Sequence, residues 1–378
     1  MNFFSSVENK INERTSLGID DAFYVLDIED VRMKYRQWVQ KIPKVQPFYA
    51  VKCNDEERVL KALVELGCGF DCASKKELEQ MLKLGVNPEK IIYAHTVKQV
   101  SHLKFAATKN IKKVTFDSPA ELLKIKNFHP NAEVVLRIRF DSESSVINLG
   151  LKFGCDPVTE APVLIKLCSS LKMNLIGISF HVGCGNTDHT VYKRALRTVR
   201  ELFDLAADEG FVLKFVDIGG GFLGDDMSLL DGYASSINDG VEKYFNHPSI
   251  QIISEPGRYF VESAFKLAVE VILKKFSKDG HVHYYINEGI YMSFMIGFLY
   301  DYKLSFSVVR KSPLTIESGE KLSTIWGSSC NSKDKIIDSK KLPDMNIGDW
   351  LVFENMGHYT TACATSFNGF KIGDIFDA

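Results

Sequence analysis

Lys52 is the first residue in the sequence whose type and position suggest chemistry. It follows the aromatic and β-branched run Pro47–Val51, which predicts a short buried strand, so Lys52 lies where the chain leaves that strand. Partial burial favours the neutral amine, the form that attacks a carbonyl carbon and holds a Schiff base. Lysines at such positions more often extend from a barrel rim into solvent. Taken alone, Lys52 leaves a catalytic and a structural role open.

A set of polar residues follows other predicted strands. Its members share a place at the carboxyl end of a strand: Asp71, His95, Asp117, Arg137, His181, Asp217 and Glu255, with Arg258 three residues later. The glycine run 219–221 lets backbone amides approach an anion, which suits a phosphate group, although a triglycine more often forms a tight turn. Arg258 would add a planar guanidinium to the same anion site.

Apolar strand candidates recur at regular spacing along the first two thirds of the chain. The first four begin at Pro47, Gly69, Ile91 and Lys113, each 22 residues after the last, and four more follow up to residue 254. Eight strand–helix units predict a closed parallel barrel, in which the carboxyl ends of the strands converge on one face. After residue 260, five strand-like segments separated by turns predict a second, β-rich domain.

The predicted fold class is therefore α/β, a (β/α)8 TIM-type barrel plus a C-terminal β-domain. We expect residues 28–265 to form the barrel, and residues 1–27 with 266–378 to form the β-rich domain. The only strand predicted before the barrel, 22–26, is free to join the second domain because it precedes the first barrel helix.

The composition is that of an ordinary globular protein. The 378 residues carry a net charge of −2, with 25% charged and 45% hydrophobic residues, and the basic residues are scattered. This pattern argues against a nucleic-acid or membrane partner. The eight cysteines form no CxxC pair, so no metal site is predicted. We expect a cytoplasmic enzyme without structural disulfides.

Several motifs together resemble the eukaryotic ornithine decarboxylase family, from about residue 20 to residue 374. They are PFYAVKCN (47–54), GFDCAS (69–74), SFHVGCG (179–185), DIGGGF (217–222), SEPGRYF (254–260), WGSSC (326–330), ENMGHYT (354–360) and SFNGF (366–370). The resemblance implies a fold-type III, alanine-racemase-like enzyme. It also implies pyridoxal 5'-phosphate as cofactor, amino-acid decarboxylation as the reaction, and a place in polyamine biosynthesis.

The resemblance assigns cofactor roles to residues of the barrel. Lys52 matches the Schiff-base lysine, Asp71 its acidic partner, His181 the imidazole stacked on the ring, and Glu255 the carboxylate at the pyridine nitrogen. The residues that match the phosphate binders are Gly219, Gly220, Gly221, Arg258 and Tyr359, with Cys184 in place of the usual serine. Two basic residues match groups near the barrel mouth, namely Arg137 and Lys152.

The resemblance also assigns substrate roles in the second domain. Cys330 matches a thiol that comes from the second subunit and protonates Cα after carbon dioxide leaves. The residues that match the surroundings of the substrate's distal end are Asp301, Tyr291 and Phe367. A homodimer with shared active sites and a small-molecule amino-acid substrate is implied.

The chain departs from the family pattern close to the substrate. Asn331 stands where the family usually has an aspartate that holds the substrate's distal ammonium, so one negative charge is lost. There are three further departures. His358 stands where the family has a small residue, and the family's Asn-Pro-Cys-Lys is replaced at residues 95–98. The segment 291–301 is one residue longer than the family pattern. We therefore expect a working decarboxylase of a basic L-amino acid, ornithine or a related diamino acid, with another polar amino acid as the alternative substrate.

Two other functions are weighed against this one. A non-catalytic protein like the antizyme inhibitors would lose the aspartate that matches Asp71, and this chain retains it. Residues 101–128 lie where ornithine decarboxylases meet antizyme, so an antizyme-like regulator stays open as a partner. A racemase of the same fold type usually lacks a glutamate at the pyridine nitrogen, and Glu255 argues against that reaction.

Overall fold

The computed structural model describes residues 3–225, 227–300, 302–311 and 319–378. It divides into two compact units, one of Met1–Val31 with Val261–Ala378 and one of Arg32–Phe260. The strands are β1 Phe23–Leu26, β2 Gln46–Ala50, β3 Gly69–Cys72, β4 Ile91–Tyr93, β5 Lys113–Phe116, β6 Glu133–Arg139, β7 Asn174–His181, β8 Phe215–Asp217, β9 Gln251–Ser254, β10 Phe265–Phe276, β11 Val282–Ile286, β12 Phe306–Val309, β13 Glu320–Trp326, β14 Lys335–Pro343, β15 Trp350–Phe353 and β16 Asp374–Asp377.

Helices fill the intervals between these strands. They are α1 Phe3–Ser16, α2 Ile28–Lys41, α3 Glu57–Glu65, α4 Lys75–Lys83, α5 Val100–Thr108, α6 Pro119–Phe128, α7 Ala161–Ser170, α8 Val191–Asp208, α9 Met227–Tyr244, α10 Arg258–Val261 and α11 Met295–Tyr300. Among the described residues, no helix combines the length and the apolar content needed to cross a membrane.

Strands β2 to β9 form a closed parallel barrel in chain order, since β2 pairs with both β3 and β9. The predicted barrel is confirmed. Its strands alternate with helices that pack outside, and large apolar side chains fill the interior, including the buried Phe48, Ile92, Val135, Phe215 and Ile253. Because all eight strands point the same way, their carboxyl ends lie on one face and gather the polar residues that follow them.

Helix caps fix where the chain turns away from this face. Ser74 follows β3, and its Oγ accepts a hydrogen bond from the Glu77 amide at 3.3 Å, which starts α4. Ser118 starts α6 in the same way, with Pro119 at the first helical position. These caps keep the connections short, so the residues at the strand ends are held close to regular structure.

The other unit is built on a curled β-sheet. Its strand order is β12-β15-β10-β11-β13-β14, and β1 pairs antiparallel with β10 and parallel with β16. The segment 22–26, which the sequence leaves free to join either part, thus pairs with strands of this sheet. Helix α1, which the sequence pattern did not predict, packs its Val7 and Ile11 into the same core as Trp350.

Candidate active site

Lys52 lies in a short 3₁₀ turn, Val51–Cys53, directly after β2. Its ammonium forms an ion pair with the carboxylate of Asp71, which comes from the neighbouring strand β3. The Asp71 side chain is fully buried, whereas 43% of the Lys52 side chain is exposed. Asp71 Oδ1 has no hydrogen-bond partner among the described residues. The amine is therefore anchored at the barrel mouth, in contrast to a lysine that only extends into solvent.

His181 ends β7 on the same face of the barrel. The Gly183 amide donates a hydrogen bond to His181 Nδ1 at 3.0 Å, so a neutral ring carries its proton on Nε2. Burial, reinforced by the positive charges of Arg137 and Lys52, lowers the pKa of His181 to about 3. The imidazole is thus uncharged at neutral pH, which suits packing against the face of an aromatic ring.

The glycine run follows Asp217, the last residue of β8. Gly219 and Gly221 have positive φ angles of 67° and 107°, which favour glycine. A side chain at Gly220 would place its Cβ 2.5 Å from the carbonyl oxygen of Glu255. Within the described part of the chain, the amides of Gly220 and Gly221 donate to no acceptor. These amides are a suitable cradle for a phosphate.

Asp217 and Glu255 form a pair of buried carboxyl groups at the ends of β8 and β9. Burial raises the pKa of Asp217 to about 7. Burial and the nearby charges of Asp217 and Asp71 hold the pKa of Glu255 well above its usual range. Glu255 Oε1 is buried and accepts no hydrogen bond from an N–H or O–H group of the described residues. The site thus contains an acidic group that can meet a cationic ring nitrogen.

The remaining barrel candidates lie around these groups. Arg258 is the first residue of α10. The Cys184 amide donates a hydrogen bond to the Ile147 carbonyl oxygen at 3.0 Å. Arg137 on β6 stacks on the ring of Phe153, with 5.1 Å between its guanidinium carbon and the ring centroid. Lys152 lies 5.2 Å from the same centroid. Phe153, which sequence reasoning missed, is therefore the platform for both basic residues.

The segment 95–98, which departs from the family pattern, has a structural role. Lys98 is fully buried, lies 2.9 Å from Glu121 Oε1 and donates to the Thr115 carbonyl oxygen at 2.6 Å. Burial lowers the pKa of Lys98 to about 8, against the opposing effect of Glu121. His95 Nδ1 accepts a hydrogen bond from the Val97 amide at 2.9 Å. Lys98 thus ties the loop after β4 to β5 and α6.

The barrel residues fit pyridoxal phosphate. Lys52 supplies a primary amine, the glycine amides supply donors for a phosphate, His181 supplies a neutral flat ring, and Glu255 supplies an acidic group. Each group comes from the carboxyl end of a different strand or the turn after it, where barrels carry their active sites. Among the described residues, no three His, Cys, Asp or Glu side chains gather as a metal site.

In the β-rich unit, four predicted substrate residues lie in one cluster. Asn331 Nδ2 donates a hydrogen bond to Tyr291 Oη, and the ring centroids of Tyr291 and Phe367 are 4.4 Å apart. The Cys330 amide donates to Asn368 Oδ1 at 2.9 Å. Cys330 is exposed, and Phe367 is 43% exposed. Asp301 lies outside the described residues.

Two buried carboxylates, which sequence reasoning missed, hold this cluster together. Asp334 accepts the amides of Ile290 and Ser329, each at 2.9 Å, and so joins the segment before Tyr291 to the segment before Cys330. A side chain at Gly289 or Gly327 would overlap its carboxylate. In the sequence, the role of Asp334 is indicated only by Gly289 and Gly327, the two glycines that this close packing requires.

Glu288 is the second of these carboxylates. It accepts the amides of Gly289 at 3.1 Å and Ser293 at 3.2 Å, and so closes the turn that carries Tyr291. Burial raises the pKa of Glu288 to about 7. This turn is therefore built around a buried acidic group that titrates near neutral pH.

Tyr359 has a positive φ of 51°, an unusual backbone conformation for a tyrosine. The preceding His358 is almost fully buried, with Nδ1 3.9 Å from Glu262 Oε1. Tyr302 donates to the same Glu262 oxygen at 2.8 Å and meets the His358 ring edge-on. The replacement of a small residue by His358 is thus accommodated by a polar cluster inside the β-rich unit.

Comparison with known proteins agrees with this geometry. Residues 28–262 match the family model described as pyridoxal-dependent decarboxylase, pyridoxal binding domain. Ornithine decarboxylase of Rattus norvegicus is 42% identical over 386 residues, covering 98% of this chain and 83% of that protein. The ornithine decarboxylase of Schizosaccharomyces pombe is 43% identical over 363 residues, covering 94% and 83%. Antizyme inhibitor 2 of Xenopus laevis is 42% identical over 379 residues, covering 97% and 82%.

Solved structures give the same result. The arginine decarboxylase of Paramecium bursaria Chlorella virus matches with a TM-score of 0.93 and 36% identity, over 99% of this chain and 100% of that one. Lysine decarboxylase from Selenomonas ruminantium matches with a TM-score of 0.85 and 32% identity, over 98% and 95%. The chain therefore belongs to the pyridoxal-dependent decarboxylase family that includes the ornithine decarboxylases, and is a pyridoxal-phosphate-dependent amino-acid decarboxylase.

Proposed function

We propose that this chain removes the α-carboxylate of a basic L-amino acid, ornithine or a related diamino acid, to give a diamine. The observation that carries the proposal is the set of Lys52, Asp71, Glu255 and the glycine run at one barrel mouth. The relatives that match nearly the whole chain are named for ornithine, which supports this substrate class. Residues 28–265 are the proposed cofactor-binding barrel.

Different barrel residues are proposed to hold the cofactor and to balance its charge. Bound pyridoxal phosphate supplies an electron sink for the charge left at Cα when carbon dioxide leaves. Lys52 would hold the cofactor through its amine, with Asp71 as the nearby counter-charge. The neutral His181 would pack against the ring without adding charge. Glu255 would meet the ring nitrogen and favour its protonated form.

A second group of residues holds the phosphate and the site entrance. Among the described residues, the amides of Gly220 and Gly221 donate to no protein acceptor, which supports a role in anion binding. The proposed phosphate ligands are Gly219, Gly220, Gly221, Arg258, Tyr359 and Cys184. Arg137 adds a positive charge near His181, where it helps keep the imidazole neutral.

Cys330 is the proposed general acid that returns a proton to Cα. Its exposure on the β-rich unit supports supply of the thiol to another chain, and hence a homodimer with shared active sites. Mixing the inactive variants Lys52→Ala and Cys330→Ala tests this arrangement. Random subunit exchange should restore about a quarter of the wild-type activity, because half of the dimers would contain one intact site. No recovery after verified exchange would contradict shared sites.

Asn331 is proposed to act on the substrate through Tyr291. Its amide nitrogen donates to Tyr291, and its Oδ1 accepts the Lys333 amide at 2.9 Å, so both polar atoms already have protein partners. The remaining proposed contacts of the distal end are Tyr291, Phe367 and Asp301. Because Asn331 is neutral, a polar amino acid without a distal ammonium is the second candidate substrate.

The proposal also covers regulation and location. The 42% identity to an antizyme inhibitor supports an antizyme-like protein as a partner, and a non-catalytic role as the alternative function. The intact Lys52–Asp71 pair favours catalysis over that alternative. All eight cysteines are free, which supports a reducing compartment such as the cytoplasm.

Carbon dioxide release from a panel of ornithine, lysine, arginine, glutamine and asparagine tests the function. We expect the highest kcat/KM for one of the three basic substrates and no release by Lys52→Ala. A preference for a neutral substrate would overturn the basic-substrate proposal and favour the second candidate. No release from any amino acid by protein that binds pyridoxal phosphate, together with capture of an antizyme, would favour the non-catalytic role.

A further inference from the structure

Asp217 is a buried carboxyl group to which the proposed function gives no task. It ends β8 with 1% of its surface exposed, and its Oδ1 accepts the Gly219 amide at 2.9 Å. Its carboxyl group also lies near that of Glu255, whose amide donates to the Gly219 carbonyl oxygen, and hydrogen bonding from Glu255 lowers the pKa of Asp217 against the effect of burial. Asp217 therefore contacts both the glycine run and the acidic group assigned to the ring nitrogen.

A hydrogen bond between two carboxyl groups requires one proton. Two ionised carboxylates in contact would repel each other strongly in a buried site, so the pair retains a proton under conditions where exposed carboxyls have lost theirs. The raised pKa values of both groups agree with this, with burial as the main cause and Asp71 as a further negative charge. Glu255 Oε1 is buried and accepts no hydrogen bond from an N–H or O–H group of the described residues, so no such donor offsets the burial of this oxygen.

We propose that Asp217 is a positioning residue, which orients Glu255 through a shared proton and fixes its distance from the glycine run. The inference rests on the proposed role of Glu255 at the ring nitrogen. Glu255 must be ionised to meet a protonated ring nitrogen. The proton then moves from the Glu255 carboxyl to Asp217, which donates the hydrogen bond in return. No proton leaves the pair in this transfer.

The backbone around the pair supports this role. The Glu255 amide donates to the Gly219 carbonyl oxygen at 2.7 Å, and Ser254 Oγ donates to the same oxygen at 2.6 Å. The Gly219 amide in turn donates to Asp217. The Gly219 carbonyl thus ties the end of β9 to the turn after β8, and the Gly219 amide ties that turn to Asp217, so the positions of the carboxyl pair and of the phosphate cradle depend on each other.

A double-mutant cycle between Asp217→Ala and Glu255→Gln tests the proposal on the full-length protein. We expect Asp217→Ala to lower kcat about 50-fold in the wild-type background, and less than about threefold when Glu255 is already Gln, since residues that act as a unit are not additive. Equal factors in both backgrounds would show that Asp217 acts independently of Glu255, and would overturn the proposal.

Cofactor affinity gives a readout that does not depend on turnover. Titration with pyridoxal phosphate alone, followed by protein fluorescence, should show a Kd at least about tenfold weaker for Asp217→Ala. Asp217→Asn keeps an acceptor for Gly219 and a donor for Glu255, so it should restore both Kd and kcat to within about fivefold of wild type. Failure of Asp217→Asn to restore either value would contradict a role through hydrogen bonding.

Two controls separate the outcomes. Asp117→Ala is the matched control, because Asp117 also accepts a glycine amide, that of Gly154 at 2.9 Å, at a strand end of the barrel. Its effect should be the same in both Glu255 backgrounds. Should Asp217→Ala not fold, Asp217→Ser takes its place in the cycle. A wild-type protein that binds no pyridoxal phosphate would instead overturn the proposed function itself.

Discussion

The barrel mouth and the Cys330 cluster of the β-rich unit differ in how their functional side chains are held. At the barrel mouth, Lys52, His181 and Glu255 follow regular strands and have buried polar neighbours. In the cluster, Cys330 lies in a loop and Phe367 in a short 3₁₀ turn, away from regular strands, and both are exposed. In the proposed site, regular strands thus fix the groups assigned to the cofactor, and segments between strands carry the groups assigned to the substrate.

The two regions also differ in how many contacts constrain each functional residue. A residue at a strand end is constrained by the strand on each side, so its replacement disturbs several partners. The segments of Tyr291 and Cys330 are instead held by a few side-chain contacts to backbone amides, above all from Asp334 and Glu288. The residues proposed for the substrate side are therefore less constrained by their neighbours than those proposed for the cofactor, and Asn331, which departs from the family pattern, is one of them.

The strongest test of the barrel side is Lys52→Ala. Activity should fall by a factor on the order of 10⁴ or more, because a covalent catalytic group is removed. Absorbance of the bound cofactor and borohydride trapping, followed by peptide mass analysis, check the attachment. Lys83→Ala, at an exposed helix end, is the control and should behave as wild type. A labelled peptide that lacks residue 52 would show that another amine holds the cofactor.

The matching test of the β-rich side is Cys330→Ala. Formation of the correct amine should fall by about 10³-fold, within the range for loss of a general acid, while cofactor absorbance stays unchanged. Product analysis by chromatography should also reveal side products from protonation at the wrong atom. Cys363→Ala, the other exposed cysteine, is the control. An unchanged rate for Cys330→Ala would remove Cys330 from the mechanism.

The buried anchor of the Tyr291 turn predicts a pH effect on stability. Glu288 has its pKa raised from 4.5 to about 7 in the folded chain. Between these values the unfolded chain loses the proton and the folded chain keeps it, so stability falls as pH rises and then levels off. Glutamine does not titrate, so Glu288→Gln avoids this fall in stability. Its free energy of unfolding should exceed that of wild type by about 3 kcal/mol at pH 8 and by little at pH 4.5. Denaturant unfolding at both pH values measures the difference.

The exposed Glu320 of the same unit provides a control for this effect. Glu320→Gln should change the free energy of unfolding by a similarly small amount at both pH values, because an exposed carboxyl keeps its contact with water in the folded chain. A gain for Glu288→Gln that is the same at pH 4.5 and pH 8 would show that the effect is packing and not titration.

The smallest effect is expected for Asn331→Asp. The added carboxylate supplies a charge-assisted partner for a distal ammonium, so kcat/KM for ornithine should rise about tenfold relative to a neutral amino acid. Ser332→Asp places the same charge one residue away on an exposed side chain and should change the ratio much less. Equal shifts in both variants would show that the added charge acts through a general electrostatic effect, and that its position at residue 331 does not matter.

Much of the barrel could be predicted because its signals are local. The predicted starts at Gly69, Ile91 and Lys113 coincide with those of β3, β4 and β5, since apolar runs between capped helices mark them directly. The motifs at the strand ends then give the cofactor. The family and the fold are confirmed, whereas the individual site residues stay predictions.

The β-rich unit was harder to predict because its signals are tertiary. Strand β14 reads Lys-Ile-Ile-Asp-Ser-Lys-Lys-Leu-Pro and is mostly exposed, so no apolar pattern marks it. Helix α1 is polar except for a few residues such as Val7 and Ile11, whose burial depends on strands far along the chain. Asp334 was missed for the same reason, because the amides it binds belong to distant segments.

The pairing of β1 with β16 has a consequence for biosynthesis. Residues 23–26 leave the ribosome first, yet their parallel partner at residues 374–377 is made about 350 residues later. The barrel strands lie between them and pair mostly with their neighbours in sequence, so they can fold while β1 still lacks both of its partner strands, β10 and β16. The nascent β1 carries the apolar run Phe-Tyr-Val-Leu during that interval. It is therefore an apolar strand whose edges stay unpaired until late in synthesis, a state that favours aggregation.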